Sequence, residues 1–414
     1  MKVWILQTGE PLHVDAGRPR PMRAMNLANS LVKNGHSVTL WSSSFYHQEK
    51  KHRSSNDDNI QINENLEIKL IHSPGYQKNI SLARLIDHFL LAKNLKKHLS
   101  KSNSLPDVAF IGYPPIETAS VMIDWLKKNN VPTIIDIKDQ WPVILVRSFP
   151  KLIKPLALIA LSPYYYFAKR AIRKSDGISS MSNAFINWSL DFSGKSESDM
   201  DINVPLTSPN ESLSQEEKDL AIAWWAQKGI KKDDTFRIMF VGSFSRAFDF
   251  DLIFQAANML SKKEINCEFV LCGDGELASN LKVKAKKYPT VKIIEWIDRP
   301  KIIALSEMSS AYIAPYKNSS DFIMSVPNKI IDAFSMSCPL LSPLSGEVNS
   351  LIKRYKVGLS YKDYESLSLN IETLVRNKDL LDKLSFNSKK LYEKRFESNT
   401  VYNQLVKHLE KIAK

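Results

Sequence analysis

Short runs of aliphatic and β-branched residues alternate along this chain with longer stretches whose apolar positions recur every three to four residues. The first run is Val3-Trp4-Ile5-Leu6, followed by an amphipathic stretch over residues 22–33 and then by Ser37-Val38-Thr39-Leu40-Trp41. Further strand-like runs stand at 66–71, 108–111, 133–136 and 177–179, with helical periodicity between most of them. Successive strands separated by helices pair in parallel, because each helix carries the chain back along the sheet, so a doubly wound domain is predicted over 1–205. A stretch over 81–99 places Leu82, Leu85, Ile86, Phe89 and Leu90 on one face, which predicts a helix covering that sheet.

From 206 to 235 the chain turns polar and holds one helical stretch, 215–227, that ends at Gly229; it reads as a connection between domains. A second alternation then starts, with strands at 236–241, 267–272 and 291–296 and helices at 250–260 and 276–287. This predicts a second Rossmann-like domain over 236–385, with C-terminal helices over 386–414. The last of these aligns Val401, Leu405, Val406, Leu409 and Ile412 and is expected to pack back toward the N-terminal domain.

With 414 residues and 43% hydrophobic content the chain can build two cores of ordinary size. Its three cysteines, Cys267, Cys272 and Cys338, lack CxxC spacing and neighbouring histidines, so neither a disulfide framework nor a metal site is expected. The opening apolar run is cut short by Gly9-Glu10, which predicts a cytoplasmic protein. The net charge of +13 asks for a negative partner. No nucleic-acid motif is present to claim that charge. Much of it sits at Arg147, Lys151, Lys154, Lys169, Arg170, Arg173 and Lys174, flanking an apolar and aromatic stretch over 156–167 that prolines interrupt. This mixture predicts shallow docking on an anionic inner-membrane surface.

Candidate chemistry gathers at strand ends. The run Phe236 through Val241 leads into Gly242-Ser243-Phe244-Ser245-Arg246, where a glycine turn, the next helix N-terminus and an arginine can hold a phosphate; an ordinary strand-to-helix turn is the alternative. Gly273-Asp274-Gly275-Glu276-Leu277-Ala278 fits a dinucleotide fingerprint with Glu295 about twenty residues on, so a nicotinamide-dependent oxidoreductase is a rival reading. Against it, that fingerprint normally occupies the first strand-to-helix turn of its domain, and this one follows the second strand. In the stretch 321–334, Pro327 opens a helix that carries Lys329 and, one turn on, Asp332, able to face a diphosphate and a ribose respectively, with Ser325 in the loop before it among the donor-binding residues; a capped surface helix with solvated charges is the alternative. The loop over 9–21 brings Gly9, Arg18 and Arg20 close to Arg23, a set suited to a phosphate; solvated surface arginines are the alternative. Asp139 either positions an acceptor hydroxyl and a positive sugar centre or caps a helix. The histidines are scattered, and none is assigned a catalytic role.

Taken in order, the pieces resemble the family-4 glycosyltransferases of the bacterial surface-polysaccharide type. The likeness is carried by the opening strand and loop, Asp136-Ile137-Lys138-Asp139-Gln140-Trp141-Pro142, the Phe-Val-Gly strand end, Gly-Asp-Gly, Trp296 to Asp298, Ala314-Pro315, and Pro327-Asn328-Lys329 to Asp332. It implies a GT-B fold of two Rossmann-like domains facing across a cleft, a retaining mechanism and no metal or other cofactor. It also implies a nucleotide diphosphate sugar donor, with UDP favoured, and a glycan or polyprenyl-diphosphate-linked acceptor. Gly242, Ser243 and Arg246 match the loop that holds the donor phosphates, Gly273 and Gly275 the next turn, and Ile297 a strand end near the base. Lys329 matches a phosphate-side position, and Asp332 the second acid of an E-x7-E pair. Arg246 and Lys329 are the implied catalytic cations. The sequence departs from the family where the first acid falls on Met324, where Asp332 is shorter than Glu, and where Phe248 replaces a frequent lysine. A sugar-nucleotide epimerase and a donor-binding subunit without turnover share the same pattern.

Overall fold

The computed structural model describes residues 1–17, 20–79, 81–147, 149–209 and 213–413, which divide into two units, Met1–Pro205 with the chain from Val401 onward, and Leu206–Thr400. The first unit carries β1 (Lys2–Leu6), β2 (Ser37–Ser43), the short hairpin β3 (Phe45–Tyr46) and β4 (Lys51–His52), β5 (Asp58–Asn63), β6 (Leu66–Ile71), β7 (Val108–Tyr113), β8 (Thr133–Ile137), β9 (Gly177–Ser180) and β10 (Ile202–Asn203). Eight of these strands form one sheet in the order β10-β9-β8-β7-β1-β2-β6-β5. All pairs are parallel except β5 with β6.

The central strands β7 and β8 are buried along their whole length, as continuous apolar runs covered on both faces must be. The edge strand β5 was missed in the sequence because its run Asp-Asn-Ile-Gln-Ile-Asn holds only Ile60 and Ile62 as apolar anchors; both turn inward and the rest stay in water. The last helix, Ser398–Ile412, gives Val401, Leu405, Val406 and Leu409 to the same apolar cluster as Val3, Ile5 and Leu27.

The helix Leu82–Ser100 does not lie as its apolar stripe suggested. It buries Asp87, His88, Leu91, Leu95 and Leu99 and leaves Leu82, Ile86 and Phe89 exposed. Its inward polar residues have partners: Asp87 accepts from the Gly75 amide at 2.7 Å, and His88 packs on the Trp141 ring.

The second unit holds β11 (Phe236–Val241), β12 (Cys267–Cys272), β13 (Val291–Ile294), β14 (Ala311–Ile313), β15 (Leu340–Ser342) and β16 (Gly358–Ser360), all parallel, in the order β13-β12-β11-β14-β15-β16. The helix Gln215–Gln227 is part of this unit rather than a free connection between domains. A reciprocal Ser214–Glu217 cap starts it, and Trp225 is fully buried with its indole N–H donated to the Lys301 carbonyl at 2.9 Å. The helix Lys378–Arg395 likewise adds Leu384, Leu391 and Tyr392 to this core. Cys267, Cys272 and Cys338 are buried free thiols.

Both sheets therefore run outward in two directions from their first strand. Each has a switch point where the loops leaving two neighbouring parallel strands diverge, between β1 and β7 in the first unit and between β11 and β14 in the second. In open α/β sheets a crevice opens there, at the carboxyl ends of the strands.

Candidate functional site

In the second unit the crevice is shaped by close approaches of the backbone at Gly242, Gly273 and Gly275, at the last of which a Cβ would stand 2.8 Å from the Phe244 carbonyl oxygen. Gly242, directly after β11, and Gly273, directly after β12, lie side by side. A Cβ on Gly273 would stand 1.8 Å from the Gly242 carbonyl oxygen, and both residues hold φ near the edge of the left-handed region, at 156° and 157°. Only glycine accepts that combination. The Gly242 amide donates to the Cys272 carbonyl at 2.9 Å, and the Phe244 amide to Asp274 at 2.8 Å, so the two turns are laced together. These contacts give the Gly-Asp-Gly spacing a packing reason that needs no dinucleotide. Glu295, the ribose ligand of the oxidoreductase reading, is half exposed and bound to Lys228 at 2.6 Å, a hydrogen bond that lowers its carboxyl pKa.

Lys329 belongs to the helix Asn328–Ser335, which follows Pro327. Its ammonium donates to the Val241 carbonyl at 3.1 Å and lies over the rings of Phe240 and Phe248, at 5.7 and 5.9 Å from their centroids. A Cβ on Gly242 would fall 1.8 Å from this nitrogen, so the glycine is the space the lysine occupies. Burial lowers the Lys329 pKa below the ordinary lysine value, and the Asp332 carboxylate works against that shift. Asp332 accepts from the Ser208 hydroxyl at 2.8 Å.

The helix after the Gly242 turn starts at Asp251, within one residue of its expected start, behind a loop that spans 243–250. That loop folds on an aromatic cluster in which Phe248 packs at a tilt against Tyr316, ring centroids 4.6 Å apart, and Tyr316 against Phe322, also at 4.6 Å. The position where a lysine was looked for is thus a wall of the crevice. Ser243 is exposed, and so is Arg246, whose side chain is 82% accessible and reaches Glu276 at 3.3 Å. Ser325 is buried with its hydroxyl donated to the Asp321 carbonyl at 2.8 Å, and the Ile297 side chain lies in the core, which leaves those two residues their backbones to offer. Met324 ends the four-residue helix Ser320–Ile323 and is half-buried.

The first unit has a separate polar cavity of about 260 Å³ beyond β1 and β7, lined among others by Gly9, Glu10, His47, Arg84, His88, Lys138 and Asp139. Asp139 accepts from the Gln140 amide at 2.7 Å. Glu10 is buried, receives the Ala24 amide at 2.8 Å and is ion-paired with Lys138; one carboxylate thereby anchors the start of the helix Arg23–Lys33. Arg53 clamps the loop from outside, bidentate on Asp15 at 2.6 and 2.7 Å and donating to the Glu10 carbonyl at 3.1 Å.

The guanidinium set expected here is not assembled as the sequence suggested. Arg23 is buried, 3.3 Å from the fully buried Asp136, and donates to the Val204 carbonyl at 2.6 Å, so it neutralises an internal carboxylate instead of meeting a phosphate. Arg20 is exposed, and Arg18 lies outside the described residues.

Sequence reasoning also passed over the histidines. His47 bonds the Tyr76 hydroxyl at 2.6 Å, and His88 lies edge-on to the same ring. Burial, aided by the charge of Lys50 on the first and Arg84 on the second, pulls His47 down to about 4 and His88 down to about 3, so both face the cavity as neutral imidazoles. Spacings of tens of residues, closed only by the sheet, hid this cluster.

Among the described residues no group of side chains has the makings of a metal site, and no helix is long and apolar enough to cross a membrane. Residues 223–391 match the family described as glycosyl transferases group 1, a stretch that lies wholly within the second unit. No curated protein matches the sequence. Solved structures similar over nearly the full chain include sucrose-phosphate synthase from Thermosynechococcus elongatus, with TM-score 0.67, 12% identity and coverage of 99% of this chain and 98% of that one. HepE from Anabaena, solved in complex with UDP, gives TM-score 0.63 at 12% identity, covering 99% of both chains. WaaG, a glycosyltransferase involved in lipopolysaccharide biosynthesis, gives 0.61 at 12% identity, covering 98% of both. At such identities the likeness establishes the fold, which is GT-B, with two Rossmann-like units.

Proposed function

We propose that this chain, whose residues 223–391 carry the group 1 glycosyl transferase signature, transfers a sugar from a nucleoside diphosphate sugar, UDP-linked by preference, to an acceptor in surface-polysaccharide assembly. The observation that carries the reading is Lys329, a half-buried ammonium held against the Gly242 turn by the Val241 carbonyl, with Asp332 one helical turn behind it. A diphosphate entering the crevice would meet a cation that burial has stripped of water and that needs no rearrangement to act. The UDP complex of HepE and the lipopolysaccharide role of WaaG support the choice of base and pathway.

In the reaction the bond from the anomeric carbon to the β-phosphate oxygen breaks and a bond from that carbon to an acceptor oxygen forms. Negative charge grows on the departing diphosphate, which Lys329 and the exposed Arg246 neutralise, and the acceptor proton passes to the departing phosphate. Gly242, Ser243, Gly273 and Gly275 bring backbone close to the phosphates, Ser325 and Ile297 border the nucleoside, and Asp332 accepts from ribose hydroxyls. Gly9 and Asp139, at the first unit's cavity, serve the acceptor. Configuration is retained, and charge neutralisation by side chains leaves no step that needs a metal.

The reading carries a location with it, the cytoplasmic face of the membrane, where the apolar and basic stretch 150–174 rests on anionic lipid. Incubation with UDP-sugars in the presence of EDTA should release UDP and give a product of unchanged anomeric configuration by proton NMR. Transfer that requires added metal, or an inverted product, contradicts the mechanism. Flotation with anionic vesicles at low salt tests the location, and a protein left behind by them rules it out.

A further inference from the structure

The Gly-Asp-Gly-Glu segment after β12 carries one side chain to which the reaction gives no part, the Glu276 carboxylate. Its Oε1 accepts the Arg246 main-chain amide at 3.1 Å, and its Oε2 stands 3.3 Å from the Arg246 Nε. One carboxylate therefore fixes both the place where the arginine leaves its loop and the direction its side chain takes. The two loops are joined through main chain as well, because the Leu277 amide donates to the Phe244 carbonyl at 3.0 Å, beside the bond from the Phe244 amide to Asp274. Stability gives no account of the pair. The Arg246 side chain is 82% accessible and that of Glu276 49%, and an ion pair so exposed contributes little to folding. A carboxylate beside a crevice meant for a diphosphate even carries a cost, since like charges repel. What the contact does achieve is geometric: with Nε engaged, the four N–H donors on the two outer nitrogens of the guanidinium are left for an oxyanion.

We infer that Glu276 is a positioning residue for sugar transfer: it holds the Arg246 guanidinium in one orientation, so that this cation is already in place when negative charge grows on the departing diphosphate. The inference rests on the glycosyltransferase reading and adds to it a residue that touches no substrate. Lys329, fixed in the crevice, grips the diphosphate before reaction, whereas the exposed Arg246 counts as the charge develops. A long arginine left to itself has to be ordered at that moment, and Glu276 has ordered it beforehand. Its effect therefore falls on turnover rather than on affinity.

The test is the steady-state release of nucleotide from UDP-glucose, UDP-galactose, UDP-N-acetylglucosamine and GDP-mannose, with water as acceptor, by the whole protein and its Glu276→Gln, Arg246→Ala and doubly substituted variants. Glu276→Gln keeps an oxygen for the Arg246 amide but loses the charge that holds Nε. It should lower kcat by about threefold to tenfold, the range set by ordering one long side chain, with KM within about twofold and the melting temperature unchanged. In the Arg246→Ala background the same substitution should leave kcat where it was, because no guanidinium remains to be held. A Glu276→Gln variant that raises KM and lowers the melting temperature would reduce the residue to a brace between two loops and overturn the inference. A loss of kcat that persists without Arg246 overturns it too. A parent that releases nucleotide from none of the four sugars overturns the transferase reading and this inference with it, whereas turnover indifferent to Glu276→Gln overturns this inference alone.

Discussion

The two units build their polar sites by opposite means. In the second, three glycines let backbone and one lysine approach closely, and a few short motifs, at the ends of β11 and β12 and at the start of one helix, supply the groups that line the crevice. In the first, an arginine, two carboxylates, a lysine and two histidines from distant positions are brought together only by the closing of the sheet. A site made of backbone depends on residues that cannot be enlarged. A site made of charges depends on partners that cannot be removed singly.

That contrast is sharpest for the buried charges of the first unit. Replacing Arg23 by Met leaves the buried Asp136 with the Ser179 hydroxyl and the more distant Lys138 ammonium, 3.6 Å away and shared with Glu10, so the loss falls at or below the roughly 3–5 kcal/mol of a fully broken buried pair. Urea unfolding should register this loss, while Arg20→Ala, on the surface, should leave stability unchanged. An Arg23 variant as stable as the parent would return that residue to the surface role read from the sequence.

For the second unit the corresponding disruption is Gly273→Ala. The added methyl meets the Gly242 carbonyl, which cannot swing away, and the left-handed backbone adds strain, for a loss of roughly 2–3 kcal/mol. Gly242→Ala differs instructively, because its methyl meets the tip of a flexible side chain. It carries the same backbone strain without the backbone clash, so it should displace Lys329 and weaken nucleotide binding with a smaller loss of melting temperature.

Lys329→Ala should weaken UDP binding by about tenfold to a hundredfold, the range of a charge-assisted hydrogen bond. Because burial lowers the pKa of this lysine, its charge is lost as pH rises through a value below 10.5. Affinity for UDP, followed by titration calorimetry, should fall with it, and Lys329→Arg should extend binding to higher pH.

The smallest effect belongs to the histidines. His47 and His88 are neutral in the fold down to about 4 and about 3, against 6.5 when unfolded, so between those values the unfolded chain binds protons that the folded one refuses. Stability is therefore complete above pH 6.5 and falls as pH drops, by about 2 kcal/mol for His88 at pH 5 and less for the more exposed His47. His88→Asn should flatten that slope.

Legibility followed the same division. Strands β1, β2, β11 and β12 stood out because buried parallel strands are continuous apolar runs, and Lys329 with Asp332 because helical spacing is local. The helix Leu82–Ser100 was misjudged because its apolar stripe faces outward, a choice that periodicity alone does not reveal. The helix Gln215–Gln227 looked like a connection because the chain on either side of it is polar and its apolar run over 220–226 has no one-sided stripe to show that Ala221 and Trp225 are buried. Phe248 looked like a lost lysine, yet it forms part of the ring cluster beneath the lysine that is present. Arg84 and Arg53 gave no signal at all, since their partners lie far along the chain.

The most direct test of the central claim is thermal stabilisation of the purified protein by UDP, GDP, TDP, CMP, NAD and a short RNA, because a ligand that binds only the folded state raises its melting temperature. The account predicts stabilisation by a nucleoside diphosphate, UDP foremost, that is reduced in Lys329→Ala and retained in Arg84→Gln. Stabilisation by NAD or RNA alone, or a UDP effect indifferent to Lys329, would contradict it.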